Sequence, residues 1–309
     1  MKIYVNRLPV RGPYGGGAHF INAIYKSLMA EGSKHEPINP VDYAAQPDLI
    51  LCVGLTNDGQ CMGLEQAIMY KVTNPNVKVV LRVNENDARK ATAEVDRGLI
   101  AVSRHIDGTI FVSDYMAHYF MKAREWHCRD NTVIVNGCDR EVFGPREKLN
   151  NGKINIVAHH WSDNYMKGFD IYEEIDEFVG KNSDRFTFNY IGRGGNRFNN
   201  TNVVNPLSGK KLGDELGKYD VYVSASRHDP GPNHILEAIA SEIPTYVHRD
   251  GGGCVEFAGK DHVFSDWDDL VRILETGDFK PNENAMQAPS WDQCVGDYMS
   301  YLERIVNAR

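Results

Sequence analysis

Asp229-Pro-Gly-Pro-Asn-His-Ile-Leu-Glu237 sets two carboxylates eight positions apart on a Pro/Gly loop that runs into a helix. The residues before it, Asp220–Ser224 (DVYVS), read as a buried strand. Arg227–Asn233 reads as a tight loop and His234–Ile243 as a short helix closed by Pro244. The stretch is therefore a strand-loop-helix junction. In open α/β sheets, ligands bind at such junctions, outside the carboxyl ends of strands, and the N–H groups of a helix's first turn suit an anion. A phosphate is the first candidate. Glu237 lies about one turn into the helix, flanked by Ile235, Leu236, Ala238 and Ile239. It either faces a cleft or punctuates a core-facing stripe. A carboxylate beside a phosphate can accept both hydrogens of a ribose diol, and the plain alternative is a solvated acid on an amphipathic helix.

Outward from this junction the same alternation recurs along the whole chain. In the first half, Lys2–Val5, Asp48–Val53, Val77–Val83, Gly108–Val112 and Thr132–Val135 read as strands, with helical segments at His19–Ala30, Gly63–Lys71 and Tyr115–Arg129. In the second half, Ile154–Ala158, Phe186–Ile191, Asp220–Ser224 and Thr245–His248 are strand-like, with helices at Asp170–Val179 and Leu212–Lys218. A βα alternation run twice predicts an α/β protein of two doubly wound, mostly parallel sheets. The polar stretch Phe143–Gly152 marks the boundary, giving domains 1–148 and 149–309. Trp291, Cys294, Val295, Tyr298, Leu302 and Ile305 recur at helical spacing, so 291–306 is expected to form a terminal helix that packs back toward the first domain.

At 309 residues the chain is long enough for two cores. No apolar run approaches the ~18 residues that span a bilayer, and MKIYVNRLPV is too short and too polar for a signal peptide. The expected location is cytoplasmic, with a peripheral place at a membrane left open. Six cysteines without a C-x-x-C pair argue against a disulfide framework and a structural zinc site. Residues 1–150 carry 18 basic and 17 acidic side chains, and residues 151–309 carry 16 and 25. With no basic stripe, nucleic acid is not an expected partner, and any phosphate on the acidic half has to be held by local devices.

Each half carries glycine-rich loops. Asn6–Gly17 ends in Gly15-Gly16-Gly17 just before a helix, which lets backbone approach a ligand closely. The spacing is neither G-x-G-x-x-G nor a P-loop, so the NAD and ATP readings are weak. Ile191-Gly-Arg-Gly-Gly195 and Arg249-Asp-Gly-Gly-Gly253 follow strands in the second half. His159 and His160 are adjacent on a strand and point to opposite faces, so they cannot easily share one metal ion.

Together these residues resemble the family-4 retaining nucleotide-sugar glycosyltransferases, and the resemblance covers nearly the whole chain. Asp229 and Glu237 hold that family's Glu-x7-Glu spacing, followed by Ala238-Ile-Ala-Ser-Glu-Ile-Pro244 where it has an Ala-rich helix ending in Pro. Gly251-Gly-Gly-Cys-Val-Glu256 matches its Gly-Gly-x-x-Glu ending. Asn136-Gly-Cys-Asp-Arg-Glu-Val-Phe143 matches its linker, and Met166-Lys-Gly-Phe169 its Lys-Gly phosphate segment. The resemblance implies the GT-B fold, two Rossmann-like domains facing a cleft. It also implies transfer of a sugar from a nucleotide-diphosphate sugar, UDP- or GDP-linked, with retention of configuration, no metal and no cofactor.

Carried over by position, the resemblance implies that Lys167 contacts the pyrophosphate, Glu237 the ribose hydroxyls and Asp229 the transferred sugar. Gly15, Gly16 and Gly17 would line the cleft from the first domain. Gly192, Arg193, Arg227, Gly231, Pro232, Asn233 and His234 complete the donor-side candidates. Two departures stand out. His159-His-Trp-Ser-Asp-Asn164 replaces the family's Gly-Arg segment, so the second phosphate-neutralising cation falls to Arg193 or Arg227. No counterpart of the first-domain active-site His stands out, and after Val77–Val83 come Asn84, Glu85 and Asp87, candidates for acceptor contacts or for a base, or a solvated loop. Other readings are a different GT-B activity, a sugar phosphorylase or a nucleotide-sugar epimerase, and a catalytically silent sugar-nucleotide binder.

Overall fold

The structure, a computed structural model, describes residues 1–10, 12, 15–39, 46–56, 59–122 and 125–308. Arg11, Pro13 and Tyr14 of the first glycine loop, and Ala123 and Arg124 of the segment Tyr115–Arg129, lie outside the described residues. The chain divides into two compact units, Met1–Arg11 with Gly16–Gly137 and Pro289–Arg309, and Gly12–Gly15 with Cys138–Ala288.

The first unit contains strands β1 (Lys2–Val5), β2 (Glu36–Pro37), β3 (Leu49–Val53), β4 (Lys78–Val83), β5 (Gly108–Phe111) and β6 (Asn131–Val133). They form one parallel sheet in the order β2-β1-β3-β4-β5-β6. Its helices are α1 (Gly16–Leu28), α2 (Leu64–Thr73), α3 (Asp87–Lys90), α4 (Val95–Val102) and α5 (Asp114–Met121). All five residues of β3 are buried, as a strand covered on both faces requires. Leu49, Leu51 and Val53 face one core with Ile3, Val5, Val80 and Ile110, while Ile50 and Cys52 face the other with Tyr4, Val79 and Leu81. The first core is closed by α1 and by the C-terminal helix Trp291–Asn307, and the second by residues of α2, α4 and α5 such as Leu64, Leu99, Met116 and Phe120.

The second unit contains β7 (Ile154–His160), β8 (Phe186–Gly192), β9 (Asn202–Val204), β10 (Val221–Ser224), β11 (Thr245–His248) and β12 (Val263–Phe264). With them come α6 (Phe169–Lys181), α7 (Gly209–Leu216), α8 (Asn233–Ala240), α9 (Gly253–Ala258) and α10 (Trp267–Thr276). The sheet is again parallel, in the order β12-β11-β10-β7-β8-β9. Ile156, Ala158, Val221 and Val223 share a core with Phe169, Tyr172 and Ile175 of α6. The intervening Val157, Tyr222 and Val247 are buried on the opposite face, and α8 and α9 pack along β11.

The last helix, α11 (Trp291–Asn307), belongs to the first unit, where Tyr298, Leu302 and Ile305 enter the core of β1, β3 and β4. Its outer turn is fastened by Arg304, which donates two hydrogen bonds to Asp130 at 2.7 and 2.8 Å. Among the described residues no helix is long and apolar enough to cross a membrane.

The domain boundary and the helix at Tyr115–Arg129 differ from the sequence reading. The stretch Phe143–Gly152 lies inside the second unit, and the chain passes from one unit to the other at Gly137 and Cys138. Two of its charges are partnered there: Arg146 donates to Asp214 at 3.2 Å and Lys148 to the Tyr219 carbonyl at 2.5 Å. Helix α5 ends at Met121, well short of Arg129. Beyond it the Trp126 ring packs at a tilt 5.3 Å from both Phe111 and Phe120 and donates its indole N–H to Thr109, an arrangement that tertiary packing favours over continued helical period.

Candidate functional site

Strand order reverses once in each sheet, and open α/β sheets bind ligands outside the carboxyl ends of the strands flanking that reversal. In the second unit these strands are β7 and β10. Alternation along β7 sends His159 to the α8 side and His160 to the α6 side. His159 Nε2 meets Glu237 Oε2 at 2.8 Å, and its backbone N–H donates to the Tyr222 hydroxyl at 3.2 Å. Both side chains are nearly enclosed, at 8% and 13% exposed, so Glu237 is not a solvated helix acid. His159 Nδ1 is buried and has no hydrogen-bond partner among the described residues. His160 shares a 2.7 Å hydrogen bond with the Tyr172 hydroxyl, whose ionisation burial pushes far above the usual range.

The loop leaving β10 is fixed by backbone before its side chains are placed. Arg227 N–H donates to the Met166 carbonyl at 2.9 Å, His228 N–H to Asp250 at 2.7 Å and Asp229 N–H to Gly251 at 3.1 Å. Gly253 N–H returns to the Asp229 carbonyl at 2.8 Å, and Asp229 and Gly252 form a parallel bridge. His228 turns at φ 53° to make this path. The result is a buried Asp229 whose Oδ2 accepts from Lys167 Nζ at 2.7 Å and from the Ser226 hydroxyl at 3.2 Å.

Lys167 reaches Asp229 because of its neighbours. It ends a single 3-10 turn, Tyr165–Lys167, capped by Asn164, whose side chain accepts from Met166 N–H at 2.8 Å. Gly168 follows at φ 87° and joins that turn to α6. A Cβ there would sit 2.2 Å from the Ala225 carbonyl oxygen, so only glycine lets the turn lie against the end of β10.

The two arginine candidates differ. Arg227 grips Asp170 with two hydrogen bonds of 2.9 and 2.6 Å. Burial alone would raise the Asp170 carboxyl, but the Arg227 hydrogen bonds and charge outweigh it and hold it below its ordinary value, while Arg227 itself is pushed up. Arg193 instead lies with its guanidinium 3.8 Å from the ring centre of Trp161, a cation-π contact. Gly192 before it is at φ 154°, and a Cβ would meet the His160 carbonyl at 2.1 Å. The remaining donor-side candidates divide. Pro232 precedes α8 with no side-chain cap, leaving the helix start to Gly231, Pro232 and Asn233. His234 is turned inward, its Nε2 2.9 Å from Ser224 Oγ, away from the position of an anion ligand at the helix end.

In the first unit Gly16 and Gly17 open α1 directly after Gly15, and a Cβ on Gly17 would meet nothing within 4 Å. Asn84 Oδ1 is buried without a partner among the described residues. Glu85 pairs with Lys90 and approaches Leu55 N–H at 3.5 Å. Asp87 is occupied structurally, accepting from Val95 and Asp96 N–H at 3.0 Å each and from Thr92 at 2.5 Å. It caps the entry to α4. The structure thus brings Lys167, Asp229, Glu237 and Arg227 around β7 and β10, and Asn84 and Glu85 to the end of β4. Sequence reasoning missed His159 as the partner of Glu237, Ser226 as a donor to Asp229, and Asp170.

No family model and no curated protein matches the chain. Solved structures do match. Sucrose-phosphate synthase from Thermosynechococcus elongatus aligns over 100% of both chains with a TM-score of 0.74 at 12% identity. WaaG, a glycosyltransferase involved in lipopolysaccharide biosynthesis, aligns over 100% of both with a TM-score of 0.62 at 11% identity. An S. aureus TarM variant in complex with Fondaparinux, alpha-GlcNAc-glycerol and UDP aligns over 84% of this chain with a TM-score of 0.58 at 12% identity. The chain spans 55% of the length of that TarM chain. At these identities the likeness is one of fold: two six-stranded parallel sheets with flanking helices, the GT-B class of these glycosyltransferases.

Proposed function

We propose that this chain is a glycosyltransferase that moves a sugar from a UDP- or GDP-linked donor to an acceptor, with retention of configuration and without a metal. The observation that carries the reading is the convergence of Lys167, Asp229 and the His159–Glu237 pair at the strand reversal of the second sheet. Retention rests on the family resemblance alone. The UDP bound by the TarM variant supports a nucleotide donor.

In this reading the donor pyrophosphate takes Lys167 away from Asp229. The ammonium then faces the charge that grows on the leaving phosphate, and Asp229, released, accepts from hydroxyls of the sugar. Preorganised charge aimed at a developing anion is the largest single term in many transfers. Glu237, oriented by His159, accepts from the ribose diol. Backbone N–H groups at the start of α8 add positive potential. Arg227 is committed to Asp170, which leaves Arg193 as the second cation for the diphosphate.

The test is titration against UDP-, GDP- and ADP-sugars with measurement of released nucleotide. One donor is expected to bind and turn over, and chelation with EDTA is expected to leave the rate within about twofold, because Lys167 and helix-end donors supply the charge. Binding without any turnover across acceptors would favour the silent binder. Loss of activity on chelation, restored by magnesium or manganese, would remove the metal-free mechanism.

Arg193→Ala is expected to weaken UDP or GDP binding about tenfold or more, the worth of a charge-assisted hydrogen bond, with little change in unfolding midpoint. Arg227→Ala is expected to act the other way, lowering stability by up to about 1 kcal/mol through the partly exposed Asp170 pair and leaving affinity close to the parent. Calorimetric titration of both variants separates them. Equal affinities in Arg193→Ala and parent would return the role to another cation.

A further inference from the structure

The loop after β10 and the starts of α8 and α9 bring together three side chains that the transfer chemistry does not need as a set. One ligand atom from each of Asp229, His234 and Cys254 lies within 4.8 Å of the other two, and all three residues are buried. His234 Nε2 and Cys254 Sγ are 3.9 Å apart. A tetrahedral zinc with bonds of about 2.0 Å to nitrogen and 2.3 Å to sulfur holds those atoms about 3.5 Å apart. The observed spacing is a few tenths of an ångström from that value. Backbone fixes the presentation: Asp229 is bridged to Gly252, and Gly253 N–H donates to its carbonyl at 2.8 Å. A Cβ on Gly253 would stand 3.0 Å from that same carbonyl oxygen, so glycine is what lets Cys254 approach Asp229.

We propose that Asp229, His234 and Cys254 form a binding site for one zinc-class divalent cation, and that its occupancy inhibits sugar transfer. The imidazole, thiolate and carboxylate donors suit zinc, whereas magnesium and calcium take oxygen ligands. On binding, the Cys254 thiol gives up its proton to solvent, and His234 exchanges its 2.9 Å hydrogen bond to Ser224 for the metal. The cation competes with the Lys167 ammonium for the Asp229 carboxylate. The inhibitory part rests on the transferase reading, in which Asp229 must be available to the donor; the metal site itself does not.

Cobalt(II) reports this site directly, because a thiolate ligand gives a charge-transfer absorption that oxygen and nitrogen ligands do not. Titrating the full chain under reducing conditions is expected to show that absorption saturating at one equivalent and being displaced by zinc. Cys254→Ser is expected to abolish it, and His234→Asn to weaken affinity at least about a hundredfold, more than the loss of an outer-shell partner. No charge-transfer absorption in the parent, or its survival in Cys254→Ser, would overturn the site. These titrations need no donor sugar, so their failure leaves the transferase reading standing. In the transfer assay zinc is expected to inhibit the parent and to lose potency on Cys254→Ser; a parent that binds cobalt yet is indifferent to zinc overturns the inhibitory part.

Discussion

Lys167→Ala is expected to lower the rate of sugar transfer at least about a hundredfold, the usual effect of removing one preorganised group that faces developing charge. The geometry makes a second effect unavoidable. Lys167 and Asp229 are a buried pair, 12% and 8% exposed and 2.7 Å apart. Truncating the lysine removes the ammonium from the Asp229 carboxylate, which keeps the 3.2 Å hydrogen bond from the Ser226 hydroxyl. Breaking a buried pair from one side commonly costs about 3 kcal/mol or more, because the surviving charge stays desolvated. A slow enzyme could thus be an unstable one, and the double variant Lys167→Ala, Asp229→Asn separates the causes. It removes the stranded charge, so its denaturant midpoint is expected to recover much of the loss while transfer stays at least about a hundredfold down. Nucleotide-diphosphate affinity should fall in both. If Lys167→Ala folds, binds UDP and GDP like the parent and transfers at the parental rate, the donor site is not at β7 and β10.

Sheet strands were legible in this chain where burial on both faces made them continuous apolar runs. Leu49–Val53 and Val221–Ser224 are of this kind, buried throughout. The strands that escaped, Glu36–Pro37, Asn202–Val204 and Val263–Phe264, are two or three residues long and all lie at sheet edges. Two or three residues carry no period. The overlong helix at Tyr115–Arg129 failed for another reason: its aromatic spacing suits a helix, and only the distant Phe111 and Thr109 pull Trp126 out of it. Polar Phe143–Gly152 looked like a linker because the partner of Arg146, Asp214, stands 68 positions away.

The site was legible in its outline and illegible in its pairings. The loop from Asp229 to Glu237 announces a strand-loop-helix junction from local chemistry alone. Which groups answer the two acids depends on the fold, since Lys167 is 62 positions from Asp229 and His159 is 78 from Glu237. The strand rule set His159 and His160 on opposite faces, yet it could not name Glu237 and Tyr172 as their separate partners. The Asp229–His234–Cys254 cluster was invisible for the same reason, its members being spread over one loop and two helices with no ligand spacing between them. Asp87 was equally illegible. Its side chain accepts from Val95 and Asp96 N–H at the start of α4, eight and nine positions on, a pairing that only the fold brings together.

Gly168→Ala is expected to destabilise the second unit by about 2–5 kcal/mol, from two sources that add. Placing an L side chain at φ 87° costs about 1–2 kcal/mol for the left-handed backbone itself. The larger part is steric: the new Cβ would lie 2.2 Å from the Ala225 carbonyl oxygen and 2.4 Å from the Ala225 Cβ, both far inside contact distance. Relief requires the turn Tyr165–Lys167 and the start of α6 to move off the end of β10, as overpacking typically does at about 1–3 kcal/mol. That movement stretches the Arg227–Met166 backbone bond of 2.9 Å and carries Lys167 away from Asp229, so transfer should fall with stability. Gly209→Ala is the control. Gly209 is also left-handed, at φ 54°, but a Cβ there meets nothing within 4 Å, so it is expected to show the backbone cost alone. Urea unfolding of the two variants beside the parent reads the difference as midpoints. Should Gly168→Ala unfold no earlier than Gly209→Ala, the close approach of the Lys167 turn to β10 is absent in solution, and with it the geometric reason for Lys167 to stand at Asp229.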